Sequence, residues 1–328
     1  MKLSFVLPVT LEEEGDLRWR AVDDSLAAMR LRCMLRSFLR RFRMEDLDQF
    51  LLVAPAAHIP ALREVVAGLT DDPRFTLVPE AEFCPEIVTP PGGVERPPGW
   101  YIQQALKIAA ARHLKTPLYV TLDADCLCVR AFSASGLAQK GKPFANIESV
   151  SDYARIYRAD FAQAEARGKL VRQQASAALL GYARPEKFRG YFFGETPVVL
   201  HRESVLALQE HLAKRHGEPW AAVLARHRRW TEYNLYFQFL EMTGGIARVH
   251  VPATCNTVLD LEASVWQPSA FYRTPRRYDP QAMAAGRPGG GVFIAIQSFL
   301  KSAEWIGSTG HMTVPLFYRA LEAAIRSA

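Results

Sequence analysis

From residue 2 to residue 125 the chain alternates short apolar runs with longer stretches whose apolar residues recur every three or four positions. That alternation restricts the fold more than any other feature. Lys2 to Val9 reads as a buried strand, Ser25 to Phe42 as an amphipathic helix and Asp48 to Ala54 as a second strand. Ile59 to Leu69 reads as another helix, and Arg74 to Val78 as a third strand ending at Pro79-Glu80. Cys84 to Gly99 holds five prolines and two adjacent glycines, a loop composition. Trp100 to His113 then reads as a helix, and Leu118 to Leu122 as a strand that delivers Asp123-Ala124-Asp125 at its carboxyl end. Strands alternating with helices imply an α/β fold, with a mainly parallel central sheet flanked by helices. Ligands of such sheets bind beyond the carboxyl ends of the strands.

The second half continues less regularly. Pro143 to Ile147 reads as a strand, Asp152 to Gln173 as largely helical, and Tyr191 to His201 as one strand running through Gly194-Glu195-Thr196-Pro197. Ser204 to Arg215 and Thr231 to Met242 read as helices, Ala247 to Pro252 as a strand, and Trp266 to Gly291 as an irregular excursion. The expected organisation is a ligand-binding half over residues 1–130 and a second half with a C-terminal extension over 131–328, in one continuous domain.

Composition narrows the class. Of 328 residues, 49% are hydrophobic and 23% charged, a soluble globular balance. No apolar run approaches the roughly 18 residues of a spanning helix. Pro8 and the acidic Glu12-Glu13-Glu14 make Met1 to Val9 a first strand rather than a leader. Five scattered cysteines fit reduced thiols, so the expected location is the cytoplasm. Cys126 and Cys128 lack the second thiol pair of a zinc site. A net charge of +6 suits phosphorylated ligands or an anionic surface. Arg32, Arg36 and Arg40 recur at helical spacing, which is a solvated face or a peripheral attachment to anionic lipid.

Asp123 and Asp125, one residue apart at a strand end, can share a divalent cation where the chain turns. Such a cation neutralises a diphosphate. The bland alternative is a turn in which Asp123 caps backbone amides. Gln104 and Lys107 stand three apart on one helical face, where they can approach a phosphate or serve only as a capping and a surface residue. Trp100 either stacks on a sugar ring or anchors the proline-rich loop.

Tyr119-Val120-Thr121-Leu122-Asp123-Ala124-Asp125 resembles the Asp-x-Asp segment of GT-A glycosyltransferases, and Gly99-Trp100-Tyr101-Ile102-Gln103-Gln104-Ala105-Leu106-Lys107 is similar to the helix before it in a bacterial branch. The resemblance implies a GT-A-like, Rossmann-type fold with an acceptor-side subregion. It also implies transfer of a sugar from a nucleotide-sugar donor, UDP-linked, to a hydroxyl of a glycan or lipid-linked acceptor, with Mn2+ or Mg2+ as cofactor. Pro8, Val9 and Thr10 would contact the base through backbone, Glu80 the base or ribose, and Asp123, Ala124 and Asp125 the diphosphate and metal. Trp230-Thr231-Glu232-Tyr233-Asn234 looks like the segment that sets an acidic residue beneath the acceptor, so Glu232 is the candidate base of an inverting displacement and Glu195 its reserve. Glu232 can instead only stabilise its helix start. The chain departs from the pattern there, since Tyr233 replaces the second acid; with neither carboxylate in place a retaining course is open. A third metal ligand in the family is often a late histidine, here His311 or His250.

Two other classes bear on the same residues. Haloacid dehalogenase phosphatases also use Asp-x-Asp, but after the first strand rather than the fourth. A basic membrane- or nucleic-acid-binding scaffold would use Arg226-His227-Arg228-Arg229 and Arg276-Arg277, yet no nucleic-acid motif accompanies them, and no nucleic-acid partner is expected. An inactive, nucleotide-binding relative remains a third reading.

Overall fold

The computed structural model describes residues 1–11, 25–183, 190–297, 305 and 308–328. Its first half alternates β1 (Leu3–Pro8), α1 (Leu26–Arg41), β2 (Leu47–Ala54), α2 (Ile59–Ala67), β3 (Phe75–Pro79), α3 (Gly99–Ala109) and β4 (Leu118–Thr121). Three of these pairings are parallel: β3 on β2, β2 on β1 and β1 on β4. The α/β class with a mainly parallel central sheet is therefore observed. Every residue of β1 and β4 is buried, as expected of strands covered on both faces.

Local chemistry explains the boundaries of α1. The Ser25 hydroxyl accepts the Ala28 amide at 3.0 Å to cap its start, and Arg40 and Arg41 lie in the last turn, where they complement the helix dipole. Its inner face seats Phe38 against Phe5, Phe42 and Phe50 with ring centroids 4.7, 5.0 and 5.0 Å away. Phe38 is completely buried. Phe38→Ala should cost about 3–5 kcal/mol in urea unfolding, the range for emptying an aromatic core position; a loss under about 1 kcal/mol would show that the cluster does not bind α1 to the sheet.

The second half builds β5 (Cys126–Cys128), β6 (Lys142–Ser149), α4 (Val150–Ile156), α5 (Ala159–Leu180), β7 (Tyr191–Phe193), β8 (Val198–His201), α6 (Arg202–His216), α7 (Trp220–Arg226), α8 (Glu232–Met242), β9 (Val251–Ala253), β10 (Phe293–Ala295) and α9 (Val314–Ser327). It corrects several expectations. Tyr191 to His201 is two strands, because β7 pairs with β6 while β8 crosses to the central sheet and runs antiparallel to β4. Gly194, between them, lies where a Cβ would come within 2.9 Å of the Asn146 side chain, so only glycine lets the chain pass. Asp152 to Gln173 is largely helical, as expected, and is divided between α4 and α5. Ala247 to Pro252 is a short helix, Ile246–Val249, followed by β9. A single helical turn, Glu80–Phe83, precedes the proline-rich segment, which itself begins with another, Pro85–Val88, and is irregular from 89 to 98. The excursion from 266 to 291 is irregular except for a 3-10 turn, Ser269–Phe271, and a short helix, Pro280–Ala285.

The arginine stripe of α1 is only partly an open face, since Arg40 is exposed but Arg32 and Arg36 are engaged. Arg36 meets Glu322 of α9 at 2.8 Å and Arg32 meets it at 3.8 Å. No helix among the described residues is long and apolar enough to cross a membrane.

Candidate active site

The carboxyl ends of β1, β2, β3 and β4 share one edge of the sheet, and the residues singled out in the sequence follow those ends. Leu122 extends β4 by donating its amide to Val6 at 2.9 Å. The chain then turns over Asp123-Ala124-Asp125, with the Cys126 amide donating to the Asp123 backbone carbonyl at 3.0 Å, and enters β5. The Ile296 amide, just past β10, donates to the Asp125 carbonyl at 2.8 Å and fixes the far side of the turn. The Asp123 carboxylate does not cap this turn. It pairs with Lys107 Nζ at 2.6 Å.

Asp125 is the unusual member. Its Oδ1 is sealed from solvent and accepts no hydrogen bond among the described residues. Burial first, and then the neighbouring Asp123 charge, push its carboxyl up to about 7 against the attraction of Arg30 and Lys107. A buried carboxylate oxygen without a donor is costly unless something positive completes it.

Lys107 is buried rather than superficial. From α3 its ammonium reaches Asp123, Glu232 Oε1 at 2.9 Å and the Tyr233 hydroxyl at 3.2 Å. Burial alone would lower its pKa, but Asp123 and Glu232 hold it well above the ordinary lysine value, so it stays charged. Gln104 faces α8 instead of a phosphate: its Oε1 accepts the Glu232 amide at 3.3 Å and its Nε2 donates to the Trp100 carbonyl at 3.3 Å. Thr231 caps α8 by accepting the Asn234 amide at 3.2 Å. Glu232 is thereby fixed at the helix start, and burial, with a contribution from Asp123, raises its carboxyl despite Lys107.

Glu195 sits at the crossing from β7 to β8. Arg172 and Lys169 of α5 lie 3.4 and 3.8 Å from its Oε1. Burial opposes ionisation there, but Lys169, Arg172 and Lys107 outweigh it and hold the carboxyl below the usual range. Lys169 in turn meets buried Glu148 at 2.5 Å, and the Tyr153 hydroxyl donates to the same Glu148 oxygen at 2.5 Å.

The remaining sequence candidates scatter. Pro8 ends β1 beside Val53, and the Val9 amide donates to the Val53 carbonyl at 2.9 Å. Thr10 Oγ1 lies 3.2 Å from His58 Nδ1, which also accepts the Leu11 amide at 3.3 Å. The pattern does not mark His58; only its place after β2 does. Glu80 is bound to Arg96 at 2.6 Å. Trp100 is 52% exposed, edge-on to Tyr101 at 4.9 Å, and so does not anchor the loop by burial. His311 is exposed in a left-handed conformation (φ 82°), and among the described residues no group of three or more His, Cys, Asp or Glu is arranged to hold a metal. A polar cavity of about 580 Å³, lined by Asp152, Arg155, Asn256, Thr257, Glu262 and Arg287, contains none of the residues singled out.

His250 is occupied on both ring nitrogens, 2.7 Å from the Tyr236 hydroxyl and 3.1 Å from the Pro143 carbonyl, and is no metal ligand. Burial pushes its imidazole down to about 3, with His201 adding and the Pro143 bond opposing. The unfolded chain protonates this ring near 6.5 and the folded one resists, so the group's stability is complete above that pH and is lost as pH falls toward 3. Unfolding in urea at pH 7 and pH 5 should show wild type losing about 1–2 kcal/mol more than His250→Gln; equal losses would remove His250 from the acid sensitivity.

A family model described as a family of unknown function, DUF6492, matches residues 1–308. No curated protein matches. Among solved structures, the bifunctional glycosyltransferase WbbM in its apo form superimposes with a TM-score of 0.51 at 11% identity, over 99% of this chain and 49% of that one. The chain thus spans about half of WbbM. The galactosyltransferase LgtC with donor and acceptor sugar analogs gives 0.49 at 11% identity, over 98% and 96% of the two chains. Mouse xyloside xylosyltransferase 1 in its apo form gives 0.40 at 16% identity, over 79% and 86%. At such identities the likeness is one of fold, and it is the GT-A type expected from the sequence.

Proposed function

The chain belongs to the DUF6492 family, a family of unknown function, and we propose that it is a glycosyltransferase that binds a nucleotide-sugar donor, UDP-linked, where β4 ends at Asp123-Ala124-Asp125. One observation carries this reading: a sealed carboxylate oxygen on Asp125, without a partner among the described residues, beside an Asp123–Lys107–Glu232 ion-pair chain at the carboxyl edge of a parallel sheet.

A divalent cation fits these donors, because hard cations take carboxylate oxygens and Asp125 offers one that no group among the described residues satisfies. Asp125 would hold it chiefly and Asp123 in part, the latter also occupied by Lys107. Bound there, Mn2+ or Mg2+ supplies positive charge to a diphosphate leaving group. Lys107, kept charged and buried, adds a second fixed positive charge at the same place without reorganising. Thr10, beyond β1, and Glu80, beyond β3, lie on the same edge, where base and ribose would rest.

The two candidate bases separate. Glu232 is locked against Lys107 and buried, so its part is to hold that ammonium in position. Glu195 keeps part of its side chain exposed, so it, rather than buried Glu232, is the carboxylate that an acceptor hydroxyl can reach to give up its proton. In that step the acceptor oxygen bonds to the anomeric carbon, the bond from that carbon to the phosphate oxygen breaks with its electron pair, and the hydroxyl proton passes to Glu195. A glycan or lipid-linked hydroxyl is the acceptor class. The test is release of nucleoside diphosphate from a panel of UDP-sugars with Mn2+ in the presence of glycan and lipid-linked acceptors. One sugar supporting release above the background of Asp125→Asn is the expected result; no release from any UDP-linked sugar, with the protein folded, would overturn the reading.

A further inference from the structure

One basic region of the surface has no part in the site just described. Between residues 214 and 229 the chain carries Lys214, Arg215, Arg226, Arg228 and Arg229, all exposed, against a single acid, Glu218, which pairs with Arg226. The last turn of α6 and the end of α7 meet where the rings of His216 and His227 lie 6.0 Å apart, so the two basic clusters form one patch. Arg215 closes over Gly181 and His216 Nε2 lies 2.9 Å from the Leu179 carbonyl, both finishing α5. Glu86 comes from a helical turn packed on α7. Lys214, Arg228 and Arg229 are exposed, and the Arg228 guanidinium donates to the Ala225 and His227 carbonyls.

This patch is joined to an exposed indole. The Arg228 guanidinium lies 5.3 Å over the Tyr101 ring, the Arg229 amide donates to the Tyr101 hydroxyl at 2.8 Å, and Tyr101 meets Trp100 edge-on. Trp100 is 52% exposed, and the only other exposed tryptophan or phenylalanine among the described residues is Phe271. A half-buried tryptophan beside guanidinium groups is the pairing that settles at the head-group level of a bilayer. Single-stranded nucleic acid would instead require a row of exposed aromatics along a basic groove.

We propose that Trp100, Lys214, Arg228 and Arg229 form a docking surface for an anionic membrane. The basic side chains supply attraction to acidic head groups and the indole supplies apolar insertion. Trp100 opens α3, the helix of Lys107, and Arg229 stands three residues before Glu232, so a docked protein holds both site helices against the lipid. The docking does not depend on the sugar-transfer reading; its use, presenting a lipid-linked acceptor, does.

The test is flotation of the purified protein with phosphatidylcholine vesicles, with and without phosphatidylglycerol, at low and high salt. Wild type is expected to float only with the anionic vesicles and to be released by salt. Lys214→Gln/Arg229→Gln should lower partitioning about tenfold or more with unchanged circular dichroism, Trp100→Ala should lower it as well, and Arg40→Gln on α1 should not. Failure of wild type to float, equal flotation of the double variant, or preference for single-stranded DNA at the same salt would each overturn the proposal. Flotation with no nucleotide-sugar turnover would leave the docking standing and count only against sugar transfer.

Discussion

Asp125→Asn is expected to abolish metal-dependent donor turnover, lowering it at least about a thousandfold, while leaving the metal-free protein as stable as wild type or more so. The reasoning is electrostatic. The Asp125 carboxyl is pushed up to about 7 by burial and by Asp123, so its ionised form is a burden on the empty fold and becomes favourable only with a cation. Asparagine keeps the shape and removes the charge. Thermal unfolding without metal, paired with nucleotide release with Mn2+, separates the two effects. A variant that kept turnover within a fewfold of wild type would show that Asp125 holds no metal used in the reaction.

Lys107→Met is expected to lose about 3–5 kcal/mol of stability, because it strands a buried carboxylate. Glu232 has its charge matched by Lys107 and is packed at the start of α8, which cannot open to water without unseating Thr231 and Gln104. The companion change decides the cause. Lys107→Met/Glu232→Gln should recover most of the loss, since it removes the stranded charge as well. Urea unfolding of the wild type, both single variants and the double variant gives the coupling directly. If the double variant were as unstable as the sum of the singles, the pair would not be the reason, and lost packing of the lysine stem would be.

Much of the first half is legible in the sequence because each element has its own local signal. The apolar stretch of β1 is fully buried, Ser25 and Phe42 bound α1 as cap residues, and Thr231 opens α8. The second half hides its signals. Tyr191 to His201 is continuous in pattern but changes sheets at Gly194, a crossing fixed by contact with Asn146 and not by anything local. The buried side of α5 mixes Lys169, Gln173 and Ser176 with Ala162, Ala177, Leu179 and Leu180, so apolar periodicity marks its inner side poorly. Neither α7 nor α9 figures among the elements read from the sequence, although α7 follows Pro219 as an apolar run and α9 carries Val314, Phe317, Tyr318, Leu321 and Ile325 at helical spacing.

Of the candidate site, Asp123, Asp125, Lys107 and Glu232 stand out by residue type and position, and the structure connects three of them in one ion-pair chain. Their roles were not legible. A lysine midway along an amphipathic helix reads as a surface residue until Asp123 and Glu232, 16 and 125 positions further along the chain, are seen beside it. Glu195 owes its ionised state to Lys169 and Arg172 on another helix, and His58 owes its place beside Thr10 to the pairing of β1 with β2.

The central claim is that the carboxyl end of β4 binds a nucleoside diphosphate through a metal, and calorimetric titration of the folded protein with UDP, in the presence and absence of Mn2+, tests it without a known acceptor. Binding that requires Mn2+ and disappears in Asp125→Asn is the predicted result. Binding of UDP that is indifferent to both the metal and Asp125, or no binding of UDP, GDP or CMP under any of these conditions, would contradict it.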